Sequence, residues 1–156
     1  MYIVFGSLFF VMGCGGSDTP VSVNYAPELS KQYGLGLIGA DTINSAGYTG
    51  SGIKVAVVDT GIDSSHSEFS GRTIYGTDFG GSANGYAGDE DGHGTHVASI
   101  IGANKDAVGM RGVAYDATLY SYRVANDSGT LSGLNSDSKK ATVFNQHVTD
   151  IYLILR

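Results

Sequence analysis

Residues 53–59, IKVAVVD, constrain the fold more than any other stretch of the chain. The run is compact, apolar and rich in β-branched side chains, and it is bounded by Gly52 and by the turn TGIDSSH. A strand of this kind is buried on both faces, the condition met inside a parallel sheet whose crossovers lay helices over it. From His93 the pattern turns helical: Val97, Ile100 and Ile101 are apolar, while Ala98, Ser99 and Gly102 are small enough for close packing. Residues 117–125, ATLYSYRVA, predict the next strand, and RTIYGTDF at 72–79 holds a brief one within a long connection over 70–92. Strand, helix, strand in this order predicts an α/β domain with a parallel sheet and right-handed crossovers.

A chain of 156 residues with 42% hydrophobic side chains has the length of one domain and enough apolar material for a core. Its formal net charge of -6, without any basic run, argues against a nucleic-acid backbone as partner. The single cysteine, Cys14, excludes an intrachain disulfide and argues against a cysteine zinc site. The opening MYIVFGSLFFVMGCGG is an apolar run ending in small residues, too short to span a bilayer as a helix, and residues 1–13 read as a targeting segment. The alternative is a buried N-terminal strand with an inert thiol. Residues 14–33 hold both prolines and several small polar residues without a sustained period, and read as a tether. The folded part, 34–156, is then expected to begin near Gly34, with a short helix over 40–46 closed by Gly47.

Reacting groups in open α/β sheets collect at the carboxyl ends of strands, and Asp59 is the last residue of the strongest strand. His93 sits between Gly92 and Gly94 at the start of a helix. An aspartate there can accept the Nδ1 proton of the histidine, leaving Nε2 to take a proton from a nucleophile. The separation of 34 residues does not by itself distinguish this pair from a buried acid and an ordinary surface histidine. His66, in the turn after the strand, reads as structural. His93 and His96 lie three apart, without the four-residue spacing and glutamate of a zinc-hydrolase helix. The acidic DEDG at 89–92 lacks EF-hand spacing and reads as a solvated turn.

The segments VAVVDTGIDSSHSEF (55–69), DGHGTHVASIIGA (91–103) and VGMRGVAYDATLYSYRV (108–124) closely resemble the aspartate and histidine regions of subtilisin-like serine proteases, in the same order. The likeness runs from about Gly34 to Gly129 and includes the approach GYTGSGIKVAVVD. It implies a subtilisin-like parallel sheet flanked by helices, incomplete because the C-terminal strands and the nucleophile helix are missing. It also implies a serine-type endopeptidase working through an Asp-His-Ser triad on peptide or protein substrates, with no required cofactor. Asp59 would be the orienting acid and His93 the general base, with Gly129, Thr130 and Leu131 along one wall of the substrate cleft. Calcium is implied as a structural ion held by Glu68, Asn104, Asp106 and the carbonyl of Val108.

VMGC resembles the bacterial lipoprotein signal, which implies a lipid on Cys14, attachment to a membrane, and an exported protein at the outer membrane or cell surface, or else secreted. The family's Gly-Thr-Ser nucleophile segment does not occur in the chain, whose nearest imitation is SGTLSG around Ser132. Past about Gly133 the likeness fades, and DIYLILR is an apolar, strand-like tail that would ordinarily lie between neighbours. The expectation is a truncated, frameshifted or split product, poorly soluble and inactive alone. The rival is a lipid-anchored remnant that binds peptides without cleaving them.

Overall fold

The computed structural model describes residues 27–130 and the strand 151–155. Four parallel strands form one sheet: β1 Lys54–Asp59, β2 Tyr75–Asp78, β3 Thr118–Arg123 and β4 Ile151–Leu155, in the order β2-β3-β1-β4. The run at 53–59 thus lies inside the sheet. Lys54 to Asp59 pair with Thr118 to Arg123 on one side, and Lys54 to Val58 with Ile151 to Leu155 on the other. The ladder to β3 continues past both ends, from Thr118 N to Ile53 O at 2.8 Å and from Val124 N to Asp59 O at 2.8 Å. The strand-like tail DIYLILR supplies β4, which among the described strands lies at one edge of the sheet rather than between neighbours, and RTIYGTDF supplies β2 at the other edge.

Alternation along β1 divides its side chains between two layers. Val55 and Val57 join Leu119 of β3 with Ile62, Phe69, Ile74, Ala98 and Ala117, while Ala56 and Val58 face Tyr122 and Val124 on the other side. Helix α4, His93–Gly102, covers the first layer through Ala98, with Val97 and Ile101 packed at its margin. Ile100, expected on that apolar face, is instead exposed. At 3.6 residues per turn it sits roughly 110° from the centre of the Val97, Ala98, Ile101 stripe.

Arg72 ties the far end of α4 to the approach of β3. Its Nη1 donates to the carbonyls of Gly102 at 2.6 Å and Tyr115 at 2.5 Å, and its Nη2 to that of Ala117. The guanidinium thereby satisfies a carbonyl in the last turn of the helix, where a cation also favours the helix dipole. Burial lowers the Arg72 pKa from its ordinary value, and Asp116 opposes that shift.

The stretch before β1 corrects the expected tether. Helices α1, Pro27–Lys31, and α2, Tyr33–Leu37, precede α3, Ala40–Ser45, so the chain is already folded at Pro27. Buried Glu28 accepts from the amides of Asp106 at 2.7 Å and Ala107 at 2.5 Å. Gln32 donates to Arg111 O at 3.1 Å and accepts from Arg111 N at 2.7 Å. Docking by polar side chains onto a loop backbone leaves no apolar period, which is why the sequence pattern there resembles a linker. The helix expected over 40–46 forms, with Ala46 as its C-cap and Gly47 beyond it at φ 95°. Cys14, Leu131 and Ser132 lie outside the described residues. Among the described residues no helix is long and apolar enough to cross a membrane.

Leu119→Ala is expected to cost about 2–5 kcal/mol in urea unfolding, because the side chain is fully buried between sheet and helix. Ile100→Ala is expected to stay within about 0.5 kcal/mol, as for an exposed position.

Candidate active site

β1 delivers Asp59 to the carboxyl edge of the sheet, and the first residue of α4 meets it there. Nδ1 of His93 lies 2.8 Å from each carboxylate oxygen of Asp59. The Asp59 side chain is 3% exposed and that of His93 42%, so the pair has a buried acid and an accessible base. An ionised carboxylate can only accept, so Nδ1 carries the proton and the Nε2 lone pair is left for another group. Thr60 N donates to Asp59 Oδ1 at 2.7 Å, which gives the buried acid a second donor.

Consecutive residues at the strand end hold consecutive residues at the helix start. Beside the Asp59–His93 contact, Thr60 Oγ1 accepts from Gly94 N at 2.9 Å. This approach needs glycine: a Cβ on Gly94 would fall 2.1 Å from the carbonyl oxygen of Gly61 and 3.1 Å from Asp59 Cβ. The glycine beside the histidine therefore sets how closely the helix can come to the acid.

Two further groups, Thr60 and Arg123, were not legible as site residues. Arg123 ends β3 opposite Asp59 and is 1% exposed. It donates to Gly88 O at 2.9 Å, Ala125 O at 3.0 Å, Glu90 Oε2 at 2.6 Å and Asp127 Oδ1 at 3.0 Å. The acidic turn at 89–92 is thus not simply solvated. Asp89 accepts from the first turn of α4, and Glu90 accepts from Arg123 at 2.6 Å and from the side-chain NH2 of Asn84 at 2.5 Å. The Glu90 pKa is lowered first by the Asn84 hydrogen bond and then by that to Arg123. The only sequence signal for this was an arginine within an otherwise apolar strand end.

Of the residues expected along a cleft wall, Gly129 and Thr130 belong to a turn closed by Asn126, whose amide donates to Thr130 O and whose Oδ1 accepts from Thr130 N, both at 3.0 Å. Gly129, at φ 73°, lies beside Asp91, two residues before His93: a Cβ added to it would fall 2.6 Å from Asp91 Oδ2. His66 is structural, its Nδ1 accepting from Glu68 N at 3.3 Å to cap the single turn Ser67–Phe69.

The residues expected to hold calcium lie together around the loop after α4. A calcium cage gathers six to eight oxygens about one point. Here Glu68 Oε1 accepts from Met110 N at 3.3 Å, Asp106 Oδ1 from Val108 N at 2.9 Å, and Asn104 directs its side-chain NH2 to Ser70 O at 2.9 Å. Glu68 Oε2 is buried without a hydrogen-bond partner. The loop turns amide hydrogens toward the carboxylates of Glu28, Glu68 and Asp106. Among the described residues no group of three or more His, Cys, Asp or Glu is placed to hold a metal.

The sequence profile of the Subtilase family matches residues 50–152. Subtilisin DY of Bacillus licheniformis is 40% identical over 112 residues, covering 70% of this chain and 40% of that protein. Subtilisin E of Bacillus subtilis strain 168 is 44% identical over 101 residues, 65% of this chain and 26% of the relative. The Extracellular serine protease of Serratia marcescens is 41% identical over 112 residues, 68% of this chain and 10% of the relative. The chain thus spans less than half the length of each.

Gly94→Ala is expected to destabilise the fold by about 1–3 kcal/mol in urea unfolding, because the new methyl meets backbone rather than a yielding side chain. It should also separate His93 from Asp59, seen as loss of the His93 Nδ1–H tautomer in imidazole nitrogen NMR.

Proposed function

Because the chain belongs to the subtilase family, we propose that Asp59 and His93 are the acid and base of a serine-type endopeptidase. The observation that carries this reading is the 2.8 Å contact of His93 Nδ1 with both oxygens of a buried carboxylate. In the proposed reaction Nε2 of His93 takes the proton of a serine hydroxyl as its oxygen attacks a peptide carbonyl. Asp59 holds the tautomer and stabilises the imidazolium. His93 then gives the proton to the leaving amine, and the acyl-enzyme is hydrolysed by water with the same base. The 156 residues contain no Gly-Thr-Ser, so the reading gives this stretch the acid–base half of the triad and places the nucleophile elsewhere. Peptide substrate would run past the Gly129–Thr130 turn, which lies on the His93 side, beside Asp91. Export, and a lipid on Cys14 anchoring the chain to a membrane, belong to the same proposal and rest on the VMGC segment.

The purified chain is expected to remain unlabelled by a fluorophosphonate probe. Labelling at Ser132 would overturn the placement of the nucleophile outside these residues. In a chimera carrying residues 50–130 in place of the matching segment of Subtilisin E, Asp59→Asn should lower kcat on a peptide substrate by about 10⁴. A chimera that kept full kcat after His93→Ala would overturn the role of His93.

A further inference from the structure

The first turn of α4 carries His93, and its amide hydrogens have no partners within the helix. Its N-cap, Gly92, has φ 86° and no side chain with which to cap. The cap comes from Asp89, three residues earlier. Oδ1 of Asp89 accepts from Gly92 N at 3.0 Å, and Oδ2 accepts from Thr95 N at 2.8 Å and Thr95 Oγ1 at 2.6 Å. One carboxylate therefore grips the backbone on both sides of His93. The other acid near this turn, Asp91, is exposed and reaches His93 N only at 3.3 Å.

Asp89 is itself mounted on the sheet. Arg123 holds Gly88 O and the Glu90 carboxylate, the residues on either side of it, and Arg123 is the register partner of Asp59. On its other side Thr95 Oγ1 accepts from Asp63 N at 2.9 Å, in the turn that follows β1. The links β1, Asp63, Thr95, Asp89, Arg123 and β3 form a closed ring around the start of α4. The same pair of strands that presents Asp59 thus aims the residue that must meet it.

We propose that Asp89 is a positioning residue that sets the imidazole of His93 against Asp59, a role that rests on reading His93 as the base. A carboxylate is required because all three groups facing Asp89 donate, and both of its oxygens are used. Asparagine offers one acceptor and would turn an NH2 toward a donor, losing the grip on one side of His93.

The test uses the full chain with nitrogen-15 histidine, reading the tautomer of His93 from its ring-nitrogen shifts while the backbone amide spectrum reports the fold. The wild-type chain should show the Nδ1–H form, and Asp59→Asn should abolish it. Asp89→Ala should shift His93 largely to the Nε2–H form, Asp89→Asn partly so, and Asp91→Asn should leave it unchanged. Should Asp89→Ala fail to fold, the nearly isosteric Asp89→Asn decides: a folded Asp89→Asn chain that keeps the full wild-type tautomer overturns the proposal. A wild-type chain without the Nδ1–H form, or one in which Asp59→Asn leaves it intact, overturns the Asp59–His93 pair itself, and the role of Asp89 with it.

Discussion

β1 and β3 pair residue for residue from Lys54–Thr118 to Asp59–Arg123, and this register brings a carboxylate and a guanidinium to the same edge of the sheet. Both are buried: Asp59 receives His93, while Arg123 holds the loop over 88–90. Buried charges persist only where hydrogen bonds replace lost water. Asp59 has the His93 ring and Thr60 N as donors, and Arg123 has two carboxylates and several carbonyls as acceptors. The strand register therefore sets the strand-end side of the candidate site, and the loop and helix complete it.

Close approach of backbone does the rest. The turn after β1 and the start of α4 are in contact through Gly61 and Gly94, with no room for a methyl group between them. A helix that cannot come nearer, and whose first turn is tied by Thr60 and Asp89, leaves its leading side chain little freedom. Orientation is then built into the ground state, which is how positioned acid–base groups gain their effect.

Carboxylates play a second part on the far side of the fold. Glu28 and Glu68 accept amides of the loop after α4, so anionic acceptors help to hold its shape. This is also why the chain before β1 is part of the fold: Glu28 and Gln32 bind a loop some 80 residues away in sequence, with no apolar period to announce it.

The sequence by itself determined the layered α/β plan and the positions of Asp59 and His93 on it. A doubly buried strand must be an apolar run, a helix against a sheet must show an apolar stripe, and glycines around a histidine mark a tight approach. These are local patterns and can be read locally. Ile100, Thr60, Asp89, Arg123 and Glu28 were decided only in three dimensions. Each owes its role to a partner distant in sequence or to an angle around a helix, and hydrogen bonds of that kind leave no period in the chain. Only the tertiary structure decided which of the acids in DEDG find partners in the protein, because for Glu90 that depends on the buried arginine at the end of a strand more than 30 residues further on.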